Sequence, residues 1–276
     1  MTIKSILIAS DLSERSDRAL QRGLRLAKEV EARVTVTSII DDATPEAFAG
    51  DLVQRGQAHL EACVQALNMD VPCEITVERG DPLTRLVELA SSDTFDLLVV
   101  GRHRSRGLFD GLSTTTVENV VARSRTPVLM VVAPAAEAYA RVLAPVSFSA
   151  ACHQAVTLSR DLAPDASFKI YHAWLAPFEG LTGGKGSSYA RAVQHETERE
   201  AASWAVGLPA GLPDVELVQH SVGASLHGQV QAFSPDLIAI GATTRALSFA
   251  GLGSFSAELV RDPPADLFVA RGARPA

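Results

Sequence analysis

Asp96-Leu97-Leu98-Val99-Val100-Gly101 and Asp236-Leu237-Ile238-Ala239-Ile240-Gly241 carry one pattern twice, an acidic residue, four apolar residues and a glycine, 140 residues apart. An uninterrupted apolar run of this length suits a strand covered on both faces. Outward from these runs the two halves keep matching. Ile6-Leu7-Ile8-Ala9-Ser10-Asp11-Leu12-Ser13 corresponds to Val142-Leu143-Ala144-Pro145-Val146-Ser147-Phe148-Ser149, at an offset of 136 residues. Pro127-Val128-Leu129-Met130-Val131-Val132 corresponds to Asp266-Leu267-Phe268-Val269-Ala270. Three anchors in the same order at similar offsets identify an internal duplication.

Between the anchors, strand and helix signals alternate. In the first half, strands are expected at 3–9, 34–40, 73–77, 96–100 and 127–132. Helices are expected from Ser13, over 45–67, around Leu83–Ala90 and from about Thr115. The first helix carries Leu20, Leu24 and Ala27 on one stripe, and the second turns Leu52, Leu60, Cys63, Val64 and Leu67 inward. The second half repeats the order, with strands at 141–146, 167–173, 214–222, 236–240 and 266–270. The fold class is therefore α/β: two Rossmann-like, doubly wound domains, each a five-stranded parallel sheet with flanking helices. Domain 1 spans 1–134 and domain 2 spans 141–272, joined by the short linker 135–140.

Composition bounds the function. The chain has 276 residues, 47% hydrophobic and 21% charged, with a formal net charge of −7. This excludes a disordered chain and argues against a phosphate-backbone footprint, so neither nucleic acid nor membrane is expected as a partner. No apolar run approaches the ~18 residues of a membrane span. Cys63, Cys73 and Cys152 lack CxxC spacing and read as reduced thiols, which places the protein in the cytoplasm.

In an open parallel sheet, ligands bind beyond the carboxyl ends of the strands, where strand order reverses. In the first half those ends carry Ser10, Asp11, Ile39, Val100 and Gly101, followed by a loop with His103 and Arg104. Thr114, Thr115 and Thr116 then open a helix. Hydroxyls at a helix start, with orphan N–H groups and the positive dipole end, can receive an anion. They can equally cap the helix. No triad or paired carboxylates mark a catalytic centre, and no enzyme is expected. Gly183-Gly184-Lys185-Gly186 fails the phosphate-loop pattern at Glu179 and Gly186. His195-Glu196 lacks the second histidine of a zinc-protease helix. His59 and Cys63 lie one helical turn apart, and two ligands are too few for a metal site.

The run from Gly101 to Val132, with Val117-Glu118-Asn119-Val120 and the Pro127-to-Val132 finish, resembles the universal stress protein family. So do Asp11-Leu12-Ser13-Glu14 and Gly80-Asp81-Pro82, and the whole resembles a tandem, two-domain member. The resemblance implies an adenine nucleotide alpha hydrolase-like fold and a non-enzymatic stress-response role, with ATP or another adenine nucleotide bound through domain 1. It also implies pairing of the two domains through 127–132 and 266–270, and it is compatible with a homodimer and a further protein partner. The family's ATP-binding glycines are matched by Gly101, whereas Arg104 and Thr114 stand at the next two glycine positions and Thr115 at the hydroxyl position. Arg104 can block the phosphate approach or pair with phosphate. Domain 2 offers a weaker set: Ser147 in place of the aspartate, Gly241, Thr244, Gly253 and Ser254. The alternative is an interaction or scaffold protein with both nucleotide sites degenerate.

Overall fold

A computed structural model of the chain describes residues 3–102, 116–135, 137–178, 184, 186–242 and 253–272. The first repeat folds as β1 (Ser5–Ala9), α1 (Glu14–Val30), β2 (Arg33–Asp41), α2 (Glu46–Leu67), β3 (Cys73–Gly80), α3 (Pro82–Leu89), β4 (Leu97–Gly101), α4 (Thr116–Arg123) and β5 (Val128–Val131). The second follows as β6 (Arg141–Pro145), α5 (Ala150–Leu162), β7 (Ser167–Trp174), α6 (Ser188–Ala205), β8 (Glu216–Gln219), α7 (Val222–Phe233), β9 (Leu237–Ala242), α8 (Ser254–Arg261) and β10 (Asp266–Arg271).

The chain divides into two compact units. The first comprises Met1–Ala138 and Thr244–Val269, and the second Tyr139–Thr243 and Ala270–Ala276. Thus α8 and the first four residues of β10, although they belong to the second repeat, group with the first unit.

In the first unit the strand order is β3-β2-β1-β4-β5-β10. The neighbours from β3 to β5 run parallel. β10 pairs antiparallel with β5 at Met130↔Leu267, Leu129↔Phe268 and Val128↔Val269, joining 127–132 to 266–270 as the family likeness implies. The second unit has the order β9-β6-β7-β8, with each adjacent pair parallel. The central strands are buried on both faces, as their apolar runs require: Ile6, Leu7, Ile8, Leu97, Leu98 and Val99 are all inaccessible. Leu20, Leu24 and Ala27 form the buried stripe of α1. On α2 the expected stripe is corrected. Leu60 is buried, but Leu52 is exposed and Cys63, Val64 and Leu67 are half-buried. The cause is position: α2 packs on β3 and β2, at the outer side of the sheet, where there is less to cover it.

The two ends of the repeated six-residue motif do different mechanical work. The aspartate that precedes the strand clamps its neighbour. Asp96 accepts hydrogen bonds from the N–H groups of Lys4 (2.9 Å) and Ser5 (3.0 Å), and Asp236 accepts from Ala140 (2.8 Å) and Arg141 (2.9 Å). Asp266 repeats the device at β10, accepting from Val132 (2.7 Å) and Ala133 (3.1 Å). It is fully buried and lies 3.4 Å from the buried Arg22 guanidinium. Each clamp satisfies two adjacent N–H groups at a strand end.

The glycine that ends the motif admits a helix. A Cβ on Gly101 would lie 2.9 Å from the carbonyl oxygen of Arg15, and one on Gly241 would lie 2.2 Å from the N of Cys152. In both repeats the fourth strand therefore meets the first turn of the first helix backbone to backbone.

Gly241→Ala forces a backbone shift and is expected to destabilise by about 3 kcal/mol, the upper range for overpacking. Gly228→Ala, inside α7 with open space around it, should stabilise by about 0.5–1 kcal/mol. Urea unfolding of the full chain measures both, and equal midpoints for the two variants would contradict this reading. Asp266→Asn, which removes the charge facing Arg22, is expected to cost about 3 kcal/mol in the same measurement.

Candidate functional site

A cavity of about 260 Å³ opens in the first unit beyond the carboxyl ends of β1, β2 and β4. In the order β3-β2-β1-β4-β5 the chain reverses direction of travel between β1 and β4, so the cavity sits at the switch point. Its floor is made by Ala9, Thr37 and Val100, and its rim by Ser10, Asp11 and Leu12 after β1, Ile39 and Ile40 of β2, and Gly101 and Arg102 after β4. Pro82 and Leu86 of α3 and Val117 of α4 add apolar wall.

The turn after β1 is fixed by a hydroxyl network. Ser10 donates its N–H to Thr37 O (2.9 Å), tying the strand end to β2. Its hydroxyl contacts that of Ser16 at 2.9 Å and accepts the Leu12 N–H at 3.1 Å. Leu12 consequently takes φ 60°, the left-handed region that a branched residue rarely occupies. Asp11 accepts from both the N–H (3.1 Å) and the hydroxyl of Ser13, the residue that caps α1.

Nearby protein atoms desolvate the Asp11 carboxyl and push its pKa up. The hydrogen bonds from Ser13 and Ser16 outweigh that and hold it below the usual carboxylate value. A depressed folded pKa means that the group's stabilisation is present above the ordinary aspartate value and is lost as pH falls through the lowered one. Asp11 is therefore a fixed acceptor throughout the neutral range.

Two features of the lining escape motif reading. Among the described residues of the lining, Arg15 and Arg102 are cationic and Asp11 carries the carboxylate. Arg15 lies in the first turn of α1 and reaches the cavity because Gly101 lets that turn approach β4. Arg102 also pairs with Asp262 at 2.6 Å. Thr37 is 1% exposed, and its hydroxyl has no hydrogen-bond partner among the described residues. A buried hydroxyl in that state costs about 1–3 kcal/mol unless something completes it.

Of the residues named from the sequence, Ser10, Asp11, Ile39, Val100 and Gly101 line this one cavity. His103, Arg104, Thr114 and Thr115 lie outside the described residues. Thr116 begins α4.

In the second unit the corresponding positions carry rings. Strand register equates Thr37, opposite Ala9, with Tyr171, opposite Pro145. By the same count Ser38 corresponds to His172 and Leu12 to Phe148. Phe148 shares the left-handed turn, with φ 56°. Its ring stacks on His172 at 4.2 Å and 27° and lies 6.0 Å from the Trp204 ring. His172 Nδ1 is bonded to Val146 O at 2.7 Å, and Trp204 donates to Ser149 O at 3.0 Å. Tyr171 is fully buried, and burial pushes its phenol pKa well above the ordinary value. Ser147 faces Cys152 Sγ at 3.5 Å. Gly241 serves the close approach to α5, Gly253 caps α8 and Ser254 is that helix's first residue. Gly253 and Ser254 group with the first unit, whereas Ser147 and Gly241 belong to the second. Thr244 lies outside the described residues.

Comparison with known proteins places this geometry in a family. A curated universal stress protein of Methanocaldococcus jannaschii is 28% identical over 144 residues, covering 49% of this chain and 85% of the relative. The crystal structure of a universal stress protein from Archaeoglobus fulgidus DSM 4304 superposes with a TM-score of 0.72 at 17% identity, covering 99% of this chain and 100% of that one. A functionally unknown protein from Pseudomonas aeruginosa PAO1 has a TM-score of 0.65 at 14% identity, covering 98% of this chain and 93% of the other. These structural likenesses show the shared α/β fold. The sequence profile of the universal stress protein family matches residues 2–132 and again 138–271, so the chain belongs to the universal stress protein family, in its tandem form.

Proposed function

We propose that the first unit binds an adenine nucleotide, ATP foremost, as the sensing step of a non-enzymatic stress-response protein, and that the second unit does not. The observation that carries this reading is the cavity at the β1–β4 switch point, with an acceptor, two cations and an uncompleted buried hydroxyl on its lining. Its volume of about 260 Å³ approaches the ~300 Å³ at which small-ligand pockets begin. The apolar walls from Ile39, Val100 and Leu86 suit a base. Asp11, charged and acceptor-only, suits an exocyclic amine or ribose hydroxyl. Arg15 and Arg102 suit the phosphates, together with the Thr115 hydroxyl that the family likeness assigns to the same task. In the second unit, Phe148 stacked on His172 supports a counterpart closed by protein.

Calorimetric titration of the full chain with ATP, ADP and AMP tests the reading. One nucleotide per chain is expected. Asp11→Ala should weaken binding of all three by about 10–100-fold, the range of one hydrogen bond to a charged group. Arg15→Ala and Thr115→Ala should weaken ATP more than AMP. Since the Asp11 carboxyl is held below its ordinary value, the gap between wild type and Asp11→Ala should stay constant from about pH 8 to pH 5. It should close only below roughly the ordinary aspartate pKa of 3.9. Failure of all three nucleotides to bind at millimolar concentration would select the scaffold alternative, and two nucleotides per chain would refute the closed second site.

A further inference from the structure

Away from the cavity, α1 and α2 bring together a side-chain cluster of mixed chemistry. His59 and Cys63 occupy one face of α2 a turn apart, with Cys63 Sγ 3.6 Å from His59 Nε2. Asp17, in the first turn of α1, supplies the third member, and ligand atoms of all three lie within 4.8 Å of one another. Sulfur at about 2.3 Å and nitrogen at about 2.0 Å from a tetrahedral zinc stand about 3.5 Å apart. The Cys63–His59 separation therefore matches two ligands of one ion before any side chain moves. The Asp17 carboxylate lies within 4.8 Å of both, with Asp17 half-buried and His59 exposed.

We propose that Asp17, His59 and Cys63 form a three-ligand site for a borderline-soft divalent cation, with zinc as the best fit and solvent in the fourth position. One sulfur, one nitrogen and one oxygen favour zinc over magnesium or calcium, which take oxygen ligands. The ion would pin α2 to the start of α1. A Cβ on Gly56, in the same helix α2, would lie 3.2 Å from Leu12 Cδ1, so the pin acts on the helix that backs one rim residue of the cavity. The site does not depend on nucleotide binding.

The test titrates metal-stripped full-length protein with Co²⁺, then displaces it with Zn²⁺ against a chromophoric chelator. The expected result is one equivalent of Co²⁺ with a sulfur-to-cobalt charge-transfer band, lost on adding Zn²⁺. Cys63→Ser should abolish the band, whereas Cys73→Ser and Cys152→Ser retain it. His59→Ala and Asp17→Asn should each weaken Zn²⁺ by at least 10-fold with an unchanged urea midpoint for the metal-free protein. No charge-transfer band, a band that survives Cys63→Ser, or wild-type zinc affinity in His59→Ala would each overturn the proposal.

Discussion

The structure of each repeat rests on one close contact, the end of the fourth strand against the first turn of the first helix. Gly101 meets the Arg15 carbonyl and Gly241 meets the backbone of Ala151 and Cys152, at distances that leave no space for a side chain. With the helix docked this closely, the turn after the first strand must fold over the strand ends. It does so through a residue forced into the left-handed region, Leu12 in one unit and Phe148 in the other. The contact thus fixes where a ligand could sit before any ligand-binding residue is chosen. It also explains why this glycine is present in both repeats: the contact is needed for packing in either case.

The same frame has been finished in two ways. After β1 the turn is polar, with Ser10, Asp11, Ser13 and Ser16 bonded to one another and small residues, Thr37 and Ser38, across from it on β2. After β6 the corresponding residues are aromatic or bulky, and Phe148, His172 and Trp204 pack together. Stacked rings supply apolar burial and some ring–ring attraction, so these residues contribute packing where their counterparts in the first repeat contribute polar groups.

Much of this was legible in the sequence. The duplicated Asp-to-Gly runs, the apolar central strands and the α1 stripe follow from periodicity, and the switch-point rule selects Ser10, Asp11, Ile39, Val100 and Gly101 without coordinates. The losses have physical causes. Arg15 and Thr37 reach the cavity through helix docking and strand register, which no local pattern encodes. Gly101, read as room for phosphate, is required first by a helix. The inward stripe expected on α2 fails at Leu52 because periodicity gives a face but not how much protein lies opposite it. Asp17, 42 residues before His59 and on another helix, is brought near His59 and Cys63 only by the fold. That β10 would join β5 was implied by family likeness alone, since pairing between distant strands leaves no trace in either segment.

The most direct test of the account is amide hydrogen exchange of the full chain with and without saturating ATP. The account predicts slowed exchange in peptides covering Ala9 to Ser16 and Thr37 to Ile40, with those covering Val146 to Cys152 and Tyr171 to Trp174 unchanged. Slowed exchange confined to the second pair of segments, or none in either, would contradict it.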